Sequence, residues 1–79
     1  SYLLCITQDD NTLYIYSDIP MEDAILTIKD EYNNIITSTI ITVFPNQGST
    51  YILNINSGNY IIELEDEDNY YYGYFEVTQ

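Results

Sequence analysis

Residues 55–64 read Ile55-Asn56-Ser57-Gly58-Asn59-Tyr60-Ile61-Ile62-Glu63-Leu64. An apolar segment ends at Ile55, a glycine-containing turn follows, and Tyr60, Ile62 and Leu64 then alternate with Ile61 and Glu63. Alternation with a period of two marks a strand with one face buried. A tyrosine at the head of such a strand, just past a turn, has the form of a tyrosine corner. There the phenol hydroxyl bonds back to upstream backbone at one end of an immunoglobulin-like sandwich. The plainer alternative for Tyr60 is an ordinary core tyrosine. Gly58 is the turn residue in either reading.

Outward from this stretch, apolar and β-branched runs recur roughly every 8–12 residues between polar clusters, the spacing of an all-β sandwich or barrel. Strands are expected at residues 2–7, 12–17, 24–29, 35–44, 50–55, 60–65 and 70–77. Asp9-Asp10-Asn11 and Asp30–Asn34 suit tight hairpins, because Asp and Asn tolerate left-handed backbone and cap their own turns. Pro20 and Pro45 each follow a strand, where a missing N–H does little harm. Gly73 lies inside the last strand and predicts a bulge or a close-packed neighbour. Seven short antiparallel strands in residues 1–79 predict a single all-β domain, an immunoglobulin-like antiparallel β-sandwich.

Alternation assigns the faces. Leu13 and Ile15 oppose Tyr14 and Tyr16; Leu26 and Ile28 oppose Ile25, Thr27 and Lys29. Tyr71, Gly73, Phe75 and Val77 oppose Tyr70, Tyr72, Tyr74 and Glu76. The fourth strand carries Ile35-Ile36 and Ile40-Ile41, apolar on both sides, which a bend or a change of sheet near Ser38 would accommodate. It is long, uncharged and β-branched. As an open edge it would pair with a second copy or accept a partner strand; as an internal or covered strand it would do neither.

Composition agrees. Thirteen Ile, ten Tyr and eight Thr stand against a single alanine, a β-forming rather than helical makeup. Thirteen acids against one lysine give a formal charge of −12. Such a chain cannot neutralise nucleic-acid phosphates and is repelled by anionic membrane surfaces. No apolar run approaches the ~20 residues a membrane helix needs, so membrane insertion is not expected. With no histidine and one cysteine, neither a His/Cys zinc site nor a histidine-activated nucleophile can be built. Cys5 has no partner for a disulfide and reads as a small apolar strand residue. The Tyr/Asn/Thr/Asp-rich, Lys/Arg-poor makeup leans towards an exported protein, secreted, periplasmic or at the cell surface. Residues 1–79 hold no stretch with the form of a leader peptide, so a mature domain or a part of a larger secreted protein is expected.

The motifs Leu13-x-Ile15, Leu26-Thr27-Ile28 with its Asp30–Asn34 turn and Ile35-Ile36, Tyr51-x-Leu53-x-Ile55, Gly58-x-Tyr60-x-Ile62 and Tyr72-Gly73-x-Phe75-x-Val77 follow in order along the chain. In this they resemble the small secreted domains of unknown function of gut Bacteroidetes, themselves similar to the C-terminal sorting domains of the type IX secretion system. The resemblance implies an immunoglobulin-like sandwich and export, and nothing catalytic. The Tyr72–Val77 strand lacks the lysine with which those sorting domains usually end.

Two surfaces carry candidate chemistry. From Tyr32 to Ile62 there is no charge, and strand parity sends Asp18, Glu22 and Asp23 to the same pole as Glu65, Asp66, Glu67 and Asp68. Clustered carboxylates on neighbouring loops suit Ca²⁺, with Asp18, Glu22, Asp23, Asp66 and Asp68 as candidate ligands. No recognised calcium spacing is present, and solvated hairpin tips explain the acids equally. Paired carboxylates could serve a glycosidase, but a convex loop pole offers no cleft, and an enzyme is not expected. The second surface is the outer face of strands three, six and seven, with Ile61, Tyr70, Tyr72 and Tyr74 as candidate binding residues beside Ile25, Thr27, Glu63 and Glu76. Tyrosine offers a large amphipathic contact at low entropic cost; cross-strand pairs that only stabilise the sheet are the alternative. Lys29 is expected to pair with Glu76 or Asp30. The expected function is a non-catalytic binding module for a protein or glycan, needing no cofactor. A Ca²⁺-dependent adhesive module and a sorting or anchoring domain of a larger protein are the alternatives.

Overall fold

Seven strands form two antiparallel sheets in a computed structural model that describes residues 4–78. They are β1 (Leu4–Asp9), β2 (Thr12–Ser17), β3 (Met21–Asp30), β4 (Ile35–Val43), β5 (Ser49–Ile52), β6 (Gly58–Glu65) and β7 (Tyr70–Val77). One sheet has the order β1-β2-β5, the other β4-β3-β6-β7. The all-β sandwich is therefore the fold, with the third, sixth and seventh strands adjacent. The expected strand positions at residues 2 and 3 lie outside the described residues.

The turns use the chemistry their residues carry. Asp10 takes φ 52° in the hairpin between β1 and β2. In the β3–β4 turn Asn33 takes φ 71°, and the Asp30 Oδ1 accepts from the backbone N–H groups of Tyr32 and Asn34, each at 2.9 Å. Asp66 closes the β6–β7 turn likewise, its Oδ1 accepting from the Asp68 N–H at 3.0 Å and the Asn69 N–H at 2.8 Å. These side chains satisfy backbone donors that a short turn would otherwise leave open.

The core holds the inward set of each alternating strand. Leu13 and Ile15 of β2 face Leu26 and Ile28 of β3, Leu64 of β6 and Val77 of β7, and all six are essentially inaccessible. Each such side chain contributes about 1.5–3 kcal/mol of transfer free energy. Tyr60 is 8% exposed, and its hydroxyl donates to the Asn56 carbonyl at 2.6 Å while its ring stacks on Phe75. The tyrosine corner is thus formed, and it ties the β5–β6 crossing to the head of β6.

Four expectations need correction. β4 does not change sheets at Ser38; it pairs with β3 along its length, and the irregularity lies instead where Thr37 opposes Ile28 and Ile35 opposes Lys29. Ile36 is the extra residue there, and both Ile35 and Ile36 are exposed. β4 looked apolar on both sides because it is an edge, its outer-face Ile40 left open to solvent while Ile41 packs against the core. β3 begins at Met21 rather than Ala24, so Glu22 and Asp23 belong to a strand with a register shift, Asp23 at φ 53°, and not to a loop. β5 ends at Ile52; Leu53 leaves the ladder and donates its N–H to the Asn11 carbonyl. Gly73 sits in unbroken register opposite Ile62 with no bulge, and among the described residues a Cβ added there would meet only the Ile62 Cγ2, at 3.9 Å.

Candidate functional site

The Asp66–Asn69 turn sets Glu65 opposite Tyr70, Glu63 opposite Tyr72 and Ile61 opposite Tyr74. β3 then places Lys29 beside Ile61, Thr27 beside Glu63 and Ile25 beside Glu65. The outer face of the four-stranded sheet is thus a grid, with an isoleucine edge on β4 and a tyrosine edge on β7. The four binding candidates stand on this one face, as parity required. Tyr70, Tyr72 and Tyr74 are 52%, 64% and 76% exposed, and Ile61 is half-buried between Lys29 and Tyr74.

The three rings form a ladder along β7. Tyr70 and Tyr72 lie 6.2 Å apart between centroids at 33°, and Tyr72 and Tyr74 lie 6.0 Å apart, edge to face. These are favourable aromatic separations, and each ring limits the rotamers of the next. A polar contact anchors one end of the ladder. The Tyr70 hydroxyl donates to the Glu63 Oε2 at 2.5 Å, and the Lys29 Nζ stands 3.2 Å from both carboxylate oxygens of Glu63. The Lys29 and Glu63 side chains are each 20% exposed, so solvent screens the pair only in part. The Tyr70 hydroxyl, then Lys29, holds the Glu63 carboxyl below its usual range, and Glu63 in turn pushes the Tyr70 phenol up to about 12. Lys29 therefore pairs with neither Glu76 nor Asp30. Glu63 lies diagonally across the adjacent β6, within reach of a lysine, whereas Glu76 lies on β7, one strand further off.

A family model for a domain of unknown function, DUF3244, matches residues 2–77. The chain belongs to the DUF3244 family. No curated protein matches it. The DUF3244 family carries no assigned activity, so the chemistry of its surfaces has to be read from geometry. In this DUF3244 domain the Ile25–Glu65 pairing sets the start of β3, with Glu22 and Asp23, at the same end as the Asp66–Asn69 turn. Among the described residues no three carboxylates gather as an ion would require. Glu22 and Asp23 are taken up into β3, and the Asp66 carboxylate is occupied in capping its own turn.

Two features of the site escaped the sequence reading. The Lys29–Glu63–Tyr70 contact was available in principle, because counting back from a four-residue β6–β7 turn gives the register. The other is a groove of about 590 Å³ between β1 and β7, floored by Leu13, Ile62 and Leu64 and passing beside Gly73. Its only signal was the missing side chain at Gly73.

Proposed function

We propose that this domain is a non-catalytic, exported binding module whose contact face is the outer surface of β6 and β7, carried by Tyr70, Tyr72 and Tyr74 with Ile61 beside them. The observation that supports it is the ladder itself: three neighbouring rings, each more than half exposed, on a strand whose other face is committed to the core. Contiguous exposed aromatics rimmed by charge are a common contact surface, and ordered tyrosines lose little entropy when a partner covers them. The want of histidine and the single, strand-bound cysteine favour binding over catalysis. Export rests on composition and on the resemblance to secreted Bacteroidetes domains and type IX sorting domains.

The test is a glycan array together with a peptide panel, run with the native domain and with the double variant Tyr72→Ser/Tyr74→Ser. Ligands held by the native domain and released by the variant, which keeps its fold at a loss of roughly 1–2 kcal/mol in stability, are the expected result. Ligands held equally by both, or no ligand in either panel, would count against the tyrosine face.

A further inference from the structure

The two sheets meet differently at their two sides. At one side β4 packs against β2 and β5. At the other, β1 and β7 are bridged by Gln8, whose Nε2 donates to the Glu76 carbonyl at 2.8 Å. Beyond that bridge the groove opens between Leu4 and Ile6 of β1 and Tyr71 and Phe75 of β7. Gly73 faces it, and among the described residues a side chain there would meet the Ile62 Cγ2, at an ordinary contact distance of 3.9 Å. β7 is the last strand of its sheet, so one of its edges carries no ladder among the described residues. The Gln8 bond shows which residues serve that edge. In antiparallel pairing alternate residues turn both backbone groups to the same side. The Glu76 carbonyl turns away from β6, and Tyr70, Tyr72 and Tyr74 share its parity.

We propose that β7 accepts an extended polypeptide segment of a partner as a fifth strand of the β4-β3-β6-β7 sheet, and that this segment alternates basic with apolar residues. The proposal builds on the contact face assigned above and names its occupant. A strand laid along β7 pairs its backbone with Tyr70, Tyr72 and Tyr74, and its side chains alternate between two sides. One set stands on the outer face beside the three rings. The surroundings there are anionic: Glu65 stands at the Tyr70 end, and Glu31 and Glu76 frame a recess beside Tyr74. Lysine or arginine over a tyrosine ring, with carboxylates at hand, gains both cation–π and ionic attraction. The other set enters the groove over Ile62 and Leu64 and alongside Gly73, a mostly apolar lining with Thr7 and Gln8 on its β1 wall, which suits apolar side chains. The formal charge of −12 and the engagement of Lys29 with Glu63 draw a cationic partner and repel a second copy. A glycan would leave the strand's edge unpaired, which favours a polypeptide.

The experiment uses labelled, amidated Val-Lys-Val-Lys-Val-Lys-Val as the probe. Val-Val-Val-Val-Lys-Lys-Lys, of the same composition, is the comparison. Affinity is read by fluorescence anisotropy and contacts by backbone amide shifts. The alternating peptide should bind about tenfold tighter than the block peptide, and Gly73→Val, which fills the groove, should weaken it about tenfold. Binding should also weaken as NaCl rises from about 50 to 300 mM. Shifted amides should centre on Tyr70–Tyr74 and on Leu4–Ile6. Equal affinity for the two peptides would reduce the effect to charge and overturn the proposal, as would shifts centred on Ile35–Val43. Should Gly73→Val fail to fold, the amide map of the native domain decides. If the alternating peptide does not bind but Tyr72→Ser/Tyr74→Ser still releases ligands of the panels, strand addition falls and the contact face stands. If Gly73→Val loses the peptide while the double variant keeps every ligand, the groove stands and the ring face falls.

Discussion

The hydroxyl of Tyr60 is a polar group at the edge of a largely apolar core, and it is satisfied by the Asn56 carbonyl at 2.6 Å. Tyr60→Phe keeps the ring on Phe75 and removes that bond, so it should lower unfolding free energy by about 1 kcal/mol in urea. A change within error would mean that the corner bond contributes nothing. Tyr70 and Glu63 make a second residue-level prediction, with opposite signs at the two ends of the pH scale. Glu63 is held below the ordinary carboxyl range by Tyr70 and then Lys29. Its contribution to stability is present above the unfolded pKa and is lost as pH falls through the lower folded value. Tyr70 is raised from 10.0 to about 12, so its contribution is full below pH 10 and is lost as pH rises towards 12. Carboxyl-carbon NMR should show the Glu63 midpoint moving up in Tyr70→Phe. An unmoved midpoint would show that the hydroxyl does not reach the carboxylate in solution.

At the scale of elements, β4 and the turn after it are the instructive cases. Gly48 has φ 70°, and a Cβ there would come 2.7 Å from the Tyr16 ring. Gly48→Ala should therefore cost more than about 1 kcal/mol, from backbone strain and crowding together, as read by thermal or urea unfolding. A neutral result would mean that the ring gives way freely. β4 itself is the uncharged terminal strand of its sheet, with exposed Ile35, Ile36 and Ile40. Ile40→Lys should slow aggregation at high concentration while changing stability by no more than about 0.5 kcal/mol; unaltered light scattering would clear this edge of the blame. The same elements show what the sequence could reveal. β2 and β7 were legible in their bounds and β6 from Tyr60 onward, because each has one buried face and strict alternation. Gly58 and Asn59, which read as turn, are the first residues of β6. β4 was not, since an edge strand need not keep polar residues outside. Nor was the start of β3, where the register shift between Met21 and Ala24 breaks the period. The tyrosine face followed from parity alone. The groove did not, because it depends on how far apart two sheets stand, which no strand pattern records.

For the whole molecule the governing quantity is a charge of −12 on 79 residues. The acids lie outside the stretch from Tyr32 to Ile62, so repulsion is concentrated in the β1–β2 turn, in β3 and its flanking turns, and in β6, β7 and the turn between them. Salt screens such repulsion over a Debye length of about 10 Å at 0.1 M, a distance comparable to the radius of gyration of 12.1 Å. Melting temperature near neutral pH should therefore rise from low to moderate NaCl, and a flat profile would show that the acids are too far apart to matter. The single lysine has a consequence of another kind. A lysine-specific endoprotease has one bond to cut in this chain, after Lys29, and that bond lies in a strand paired on both edges, opposite Ile35 and Ile61. Fraying at either terminus does not expose it; the end of β3 beside the Asp30–Asn34 turn has to leave both β4 and β6. Appearance of the two fragments then counts the openings that free Lys29 from β4 and β6, and Tyr60→Phe, at the β6 residue opposite Asp30, should hasten it. The chain thus carries its own clock for unfolding, started by one scissile bond.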